Sequence, residues 1–166
     1  MNIILIGMPG AGKSTLGVLL AKALRMDFVD TDIVIQQREG KLLQDIINER
    51  GDDSFLETEE VVLSELECSN SVIATGGSAV YSAKAMRALK TGGFAVYIHA
   101  GCGEIEKRLR NIETRGVIIK EGQSIKDIYD QRLPLYYKYA DAVVDCSDND
   151  IEQSVSEIIK AVEKDK

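Results

Sequence analysis

Eight consecutive residues, Gly7-Met8-Pro9-Gly10-Ala11-Gly12-Lys13-Ser14, match the spacing G-x-x-x-x-G-K-[ST] in full. Glycines at these positions let the backbone curl so that successive N–H groups point toward one focus, and a helix starting near Lys13 adds its positive end. Such a nest suits the polyphosphate tail of ATP. Gly10, Ala11, Gly12 and Thr15 contribute main-chain donors, the Lys13 ammonium reaches the β and γ phosphates, and the Ser14 hydroxyl is placed to ligate Mg²⁺. A second group, Asp30-Thr31-Asp32, offers two carboxylates one residue apart. One can hold a water of the metal while the other takes a proton from an attacking hydroxyl. An N-cap for a helix starting at residue 33 explains Asp32 equally well. A third group, Gly76-Gly77-Ser78, lets a ligand approach the backbone closely, or else makes a tight turn capped by Ser78. Two arginines, Arg115 in a glycine-bearing stretch and Arg132 near Pro134, carry planar forks suited to phosphate or carboxylate.

These groups need a scaffold that brings them together. Residues 2–6 form a short apolar run ending at Gly7, the pattern of a strand buried on both faces. Leu16, Leu19, Leu20, Ala23 and Leu24 recur three and four apart, which predicts a helix over 14–24. Strand, glycine loop and helix therefore follow without a spacer. Further strands are predicted at 27–30, 72–74, 94–98 and 142–144. Helices are predicted at 33–38, 42–50, 54–68, 83–89, 104–110, 125–139 and 151–164. Alternation of this kind implies a parallel sheet covered by helices on both faces. Three helical patterns between the second and third strands exceed what a crossover needs, so residues 33–60 are expected to cap the sheet edge. Residues 112–123 read as a mobile loop, and Pro134 is expected to start, kink or interrupt its helix.

Composition narrows the class of protein. A chain of 166 residues with 45% hydrophobic and 28% charged content fits one globular domain, expected to act as a monomer. The first apolar run is far too short for a membrane span, and no basic segment precedes it. Cys68, Cys102 and Cys146 show no metal or disulfide spacing, which agrees with free thiols in the cytoplasm. A formal charge of −7 argues against nucleic acid as a partner. Any phosphate site must concentrate its positive potential locally.

Taken in order, the pieces resemble the shikimate kinases, a family of P-loop kinases akin to the nucleoside monophosphate kinases. The likeness rests on the P-loop, on Phe28-Val29-Asp30-Thr31-Asp32, on Gly76-Gly77 and on Arg132-x-Pro134-Leu135-Tyr136. It implies a three-layer α/β fold with a five-stranded parallel sheet of order 2-3-1-4-5, an acceptor-binding region at 33–60 and a lid at 112–123. It also implies ATP- and Mg²⁺-dependent transfer of a phosphoryl group to a hydroxyl of shikimate, a small hydroxylated anion. On this likeness Lys13 and Ser14 take the phosphates and the metal, Asp30 supports the metal through water, and Asp32 binds the acceptor hydroxyl. Arg115 touches the phosphates from the lid, Arg108 packs on adenine, and Arg132 grips the acceptor carboxylate, with Gly76, Gly77 and Ser78 beside it.

Three positions depart from the family pattern. Leu56 stands where the family has a second carboxylate-binding arginine, Ser78 replaces the third of three glycines, and the lid carries Arg115-Gly116-Val117-Ile118 instead of Arg-Pro-Leu-Leu. A related kinase for gluconate, homoserine or a nucleoside monophosphate, or a nucleotide-binding regulator without catalysis, remains open on the sequence. His99 and the cluster Tyr136, Tyr137 and Tyr139 read as packing residues. The acidic run from Asp52 to Glu67 reads mostly as a solvated helix face; Glu59 alone falls where the family has a glutamate near the acceptor.

Overall fold

The computed structural model describes residues 1–110, 122–147 and 150–164. The chain opens with β1 (Asn2–Ile6) at the centre of the molecule, where Ile3, Ile4, Leu5 and Ile6 are all fully buried. A run of large aliphatic residues without alternation suits this place, because both faces of a central parallel strand are covered. Helix α1 (Lys13–Leu24), strand β2 (Asp27–Asp30) and helix α2 (Thr31–Glu39) follow. Next come α3 (Leu43–Ser64), β3 (Ser71–Ala74), a short 3₁₀ turn (Ala79–Tyr81), α4 (Ala83–Lys90) and β4 (Gly93–His99). The described chain ends with α5 (Cys102–Arg110), α6 (Ile125–Tyr139), β5 (Ala142–Asp145) and α7 (Ile151–Glu163).

All strand pairs are parallel, and the five strands lie in the order β2-β3-β1-β4-β5. Leu5 pairs with Ala74 and Asp30 pairs with the same residue from the other side, so three strands end level with one another. That common edge is where ligands of open α/β sheets bind. Helix α1 packs against α7, while α3 packs on α4 and α6 lies against β4 and the 3₁₀ turn, so helices cover both faces. No helix among the described residues is long and apolar enough to cross a membrane.

A second, smaller apolar cluster joins Ile35, Leu43, Ile46, Ile47, Phe55 and Val62 from α2 and α3. It gives residues 33–60 their own footing beside the sheet. The two helices expected at 42–50 and 54–68 are both present within α3, separated by a kink at Gly51, whose non-helical φ of 81° and ψ of 170° only glycine adopts without strain. That helix stops at Ser64, earlier than expected, because the chain beyond is drawn toward β1. The Asn2 side-chain amide donates to the Cys68 carbonyl at 2.9 Å and its oxygen accepts from the Ser71 N–H at 3.1 Å. Pro134 does not interrupt α6, which is assigned without a break from Ile125 to Tyr139. Buried Ile128, Arg132 and Tyr136 hold one face of this helix, and a Ser124–Asp127 capping box fixes its start. The expected lid at 112–123 falls almost wholly outside the described residues, and Arg115 lies outside them.

Candidate active site

The loop between β1 and α1 turns through Gly12, which sits in the left-handed region at φ 93° and ψ 13° as the N-cap of α1. A Cβ-bearing residue there is strained, so the glycine is required by the turn itself. Lys13 opens the helix and is buried. Its Nζ donates to the carbonyls of Gly7 at 2.9 Å and Met8 at 2.8 Å, folding the ammonium back over the loop. Arg108 on α5 braces the same loop, donating from Nη1 to the Gly10 carbonyl at 3.1 Å and from Nε to Glu104 at 2.9 Å. Thr15 lies exposed on the first turn of α1.

The next residue in the motif reaches across to β2. Ser14 Oγ donates to Asp30 Oδ2 at 2.7 Å, so the two residues expected at a metal are already in contact. Asp30 also caps α2, its Oδ1 accepting from the Asp32 N–H at 3.0 Å. This corrects one expectation. The helix starts at Thr31 rather than 33, so the capping role falls to Asp30, and Asp32 lines the cavity. Between them Thr31 is fully buried and accepts the Gly76 N–H on Oγ1 at 3.2 Å, tying β2 to the loop after β3.

That loop is held so closely that neither glycine can carry a side chain. A methyl group on Gly76 would lie 2.5 Å from Glu59 Oε1 and 2.9 Å from Asp32 Oδ1. One on Gly77 would lie 2.5 Å from Pro9 and 2.9 Å from Arg132 Nη1. Tyr136, stacked on Tyr97 with ring centroids 5.0 Å apart, donates its hydroxyl to the Gly77 carbonyl at 2.7 Å. Residues from α2, α3, α6 and the β1–α1 loop thus converge on these two glycines. Ser78 does not cap the following turn; its Oγ donates to Glu59 Oε2 at 2.6 Å instead.

Arg132, one turn before Tyr136 on α6, is 2% exposed. Its Nε donates to the Tyr81 hydroxyl at 3.3 Å and its guanidinium lies 5.2 Å from that ring's centre. No carboxylate among the described residues pairs with it. A buried cation without an anion is costly, which makes this position receptive to an anionic ligand. Glu59 is also 2% exposed, and its Oε1 has no hydrogen-bond partner among the described residues. Burial pushes its carboxyl up to about 7; the Ser78 bond opposes the rise, Asp32 adds to it, and Arg132 and Lys13 oppose it.

Lys13, Ser14, Asp30, Asp32 and the Gly76–Ser78 loop line one open cavity of about 590 Å³, with Ile33, Leu42, Leu43 and Phe55 forming an apolar wall. The P-loop, the aspartate pair and the glycine loop are therefore brought together as expected, and Arg132 stands directly behind Gly77. Three residues were not singled out for these roles on the sequence: Thr31, Tyr136 and, except for its position in the family pattern, Glu59. For Glu59 a signal existed. It follows Phe55 by four residues and precedes Val62 by three, and both of these are buried. His99 keeps the packing role expected of it, with Nδ1 3.1 Å from the Tyr97 hydroxyl.

A parallel sheet of this order with a phosphate nest at the first strand and acidic residues at the second defines a P-loop phosphotransferase. The chain matches the shikimate kinase family profile over residues 9–163 and belongs to that family. It is 40% identical to a shikimate kinase of Pseudomonas paraeruginosa, covering 99% of this chain and 97% of that one. Among solved structures it is similar to shikimate kinase from Acinetobacter baumannii in complex with shikimate, with a TM-score of 0.91 and 30% identity over 99% of this chain and 94% of that one. The Aquifex aeolicus shikimate kinase gives a TM-score of 0.83 at 33% identity, over 99% and 98% of the two chains.

Proposed function

We propose that this protein transfers the γ-phosphoryl group of ATP to a hydroxyl of shikimate. The single observation that carries the reading is the shared cavity, which sets the P-loop, Asp30, Asp32 and the glycine loop around one space backed by the buried Arg132. In this reading Lys13 leaves its two loop carbonyls for the β and γ phosphates, where its charge offsets that of the transferring group. Asp32 orients the acceptor hydroxyl and takes its proton. Arg132 holds the acceptor's carboxylate, and the apolar wall excludes water from its ring. Arg108 steadies the loop at Gly10 beside the nucleotide. Arg115 joins the phosphates on the strength of the family resemblance.

Mg²⁺ fits the residues present. Ser14 Oγ and Asp30 Oδ2 are hard oxygen donors already 2.7 Å apart, and no group of three metal-binding side chains among the described residues forms a cage of its own. The metal would arrive with the nucleotide, held by Ser14 directly and by Asp30 through water, and would neutralise phosphate charge. The same reading places the enzyme in the cytoplasm, in keeping with its three free cysteines, and takes it as a monomer.

A coupled assay of ADP release tests the proposal. Shikimate is expected to give kcat/KM at least about a hundredfold above gluconate, homoserine or a nucleoside monophosphate, since these bring an anionic group without the ring that sets its distance and angle to the acceptor hydroxyl. Faster turnover of any of these three, or ATP binding without transfer, overturns it.

A further inference from the structure

A carboxyl group buried directly behind the wall of a phosphotransferase cavity, with one oxygen lacking a partner, is a candidate for a partner on the ligand. Glu59 is in this position, against Gly76 and Ser78 of that wall. Its Oε2 accepts the Ser78 hydroxyl at 2.6 Å, whereas its Oε1 has no hydrogen-bond partner among the described residues and flanks Gly76 beside Asp32. One residue further along, Gly77 brings the cavity wall against the Arg132 guanidinium. An acceptor seated on these two glycines meets a cation at one step and the bare carboxyl oxygen at the other.

The bond from Ser78 decides which oxygen carries a proton. Ser78 donates to Oε2, so a proton on Glu59 resides on Oε1, beside Gly76 at the cavity wall. We propose that Glu59, positioned by Ser78, sets the selectivity of this site for an anionic acceptor: protonated, it donates a hydrogen bond to the carboxylate held by Arg132, and ionised, it repels that carboxylate. This inference rests on the acceptor reading given above. The groups facing Glu59 are Asp32 from α2, Lys13 from α1, Arg132 and Tyr136 from α6, Tyr81 from the 3₁₀ turn and Glu60 beside it on α3. Asp32 favours the protonated form, while Arg132 and Lys13 favour the ionised one, and burial outweighs both cations. Its midpoint of about 7 lies where a modest change in pH alters occupancy of the proton.

Calorimetric titration of the whole protein with shikimate, in two buffers of different ionisation heat, tests this. At pH 8 wild-type protein takes up close to one proton per shikimate bound, and at pH 6 close to none, with affinity about tenfold weaker at pH 8. ATP titrated alone shows no such uptake from this group. Glu59→Gln abolishes the uptake and makes affinity equal at the two pH values. Ser78→Ala moves the loss of affinity to higher pH, because the donated bond favours the ionised carboxylate. Binding of shikimate without proton uptake at pH 8, or uptake that persists in Glu59→Gln, overturns the role of Glu59 while leaving the acceptor reading intact. Should Glu59→Gln not fold, the wild-type uptake and the Ser78→Ala displacement decide the matter. Absence of shikimate binding to wild type at both pH values overturns both readings.

Discussion

The two ends of the cavity are built on opposite plans. At the nucleotide end, residues 7–14 are contiguous, and their groups are largely main-chain carbonyls and amides arranged by glycine, with one lysine and one serine added. At the acceptor end, Asp32, Glu59, Gly76, Gly77 and Arg132 come from four separate segments, and their side chains meet only because α3 and α6 pack over the loop after β3. The first plan tolerates few changes and binds a common ligand. The second allows one contact to be exchanged without dismantling the others, which is where a family varies its acceptor. Leu56 and Ser78 both lie at this second end, beside a smaller cavity of about 210 Å³ that also touches Glu59 and Tyr81.

Substitutions at the two ends should therefore fail differently, and the largest failure belongs to the nucleotide end. Lys13→Ala is expected to lower kcat by about 10²–10³-fold, the cost of losing one preorganised donor to developing charge, with circular dichroism unchanged. Near-normal turnover in the folded variant would remove the lysine from the mechanism. At the acceptor end, the buried Glu59 contributes a pH-dependent stability of its own. The folded protein holds a proton that the unfolded chain releases near 4.5, so this site favours folding most below that pH and loses the advantage as the pH rises to about 7. In denaturant unfolding, the stability of Glu59→Gln relative to wild type is expected to be higher at pH 8 than at pH 4 by on the order of 2–4 kcal/mol. Equal pH dependence in the two proteins would show that burial does not hold the proton.

Arg132→Met separates the two ends most directly. It is expected to raise the KM for the acceptor about 10- to 100-fold, the usual loss for a charge-assisted contact of roughly 1.5–3 kcal/mol, while the KM for ATP changes little. An equal rise in both constants would mean the ends are coupled rather than independent. The smallest effect is expected from Ser124→Ala, which removes the cap of the helix bearing Arg132. Denaturant unfolding should show a loss of about 1 kcal/mol with both KM values retained. A raised acceptor KM in that variant would show that the pose of α6 depends on its exposed end and not on its buried face.

The nucleotide end was legible because its chemistry is local. A glycine turn, a lysine and a hydroxyl act through spacing along the chain, and the apolar run before them marks the strand that carries them. The strand order and the roles of Asp32 and Arg132 came with the family likeness, and the sheet order is as that likeness implied. Boundaries held in α6, where a cap and an apolar period mark them, and at the Gly51 break in α3; they failed at the start of α2, capped by Asp30, and at the end of α3, beyond which Asn2 holds the Cys68 carbonyl.

Glu59 shows the limit most clearly. Within a run of acids it reads as solvated, yet it lies on the same stripe as Phe55 and Val62 and is buried with them. By itself the order of residues determined the phosphate nest, the alternation of strands and helices, and the pair of aspartates at the second strand, since these depend on neighbours a few positions apart. Only the tertiary structure decided that Thr31 fastens Gly76 and that Ser78 and Glu59 share a bond behind the cavity wall. Those contacts join residues far apart in the chain, and the protonation of a carboxyl depends on how much water the packed fold leaves around it.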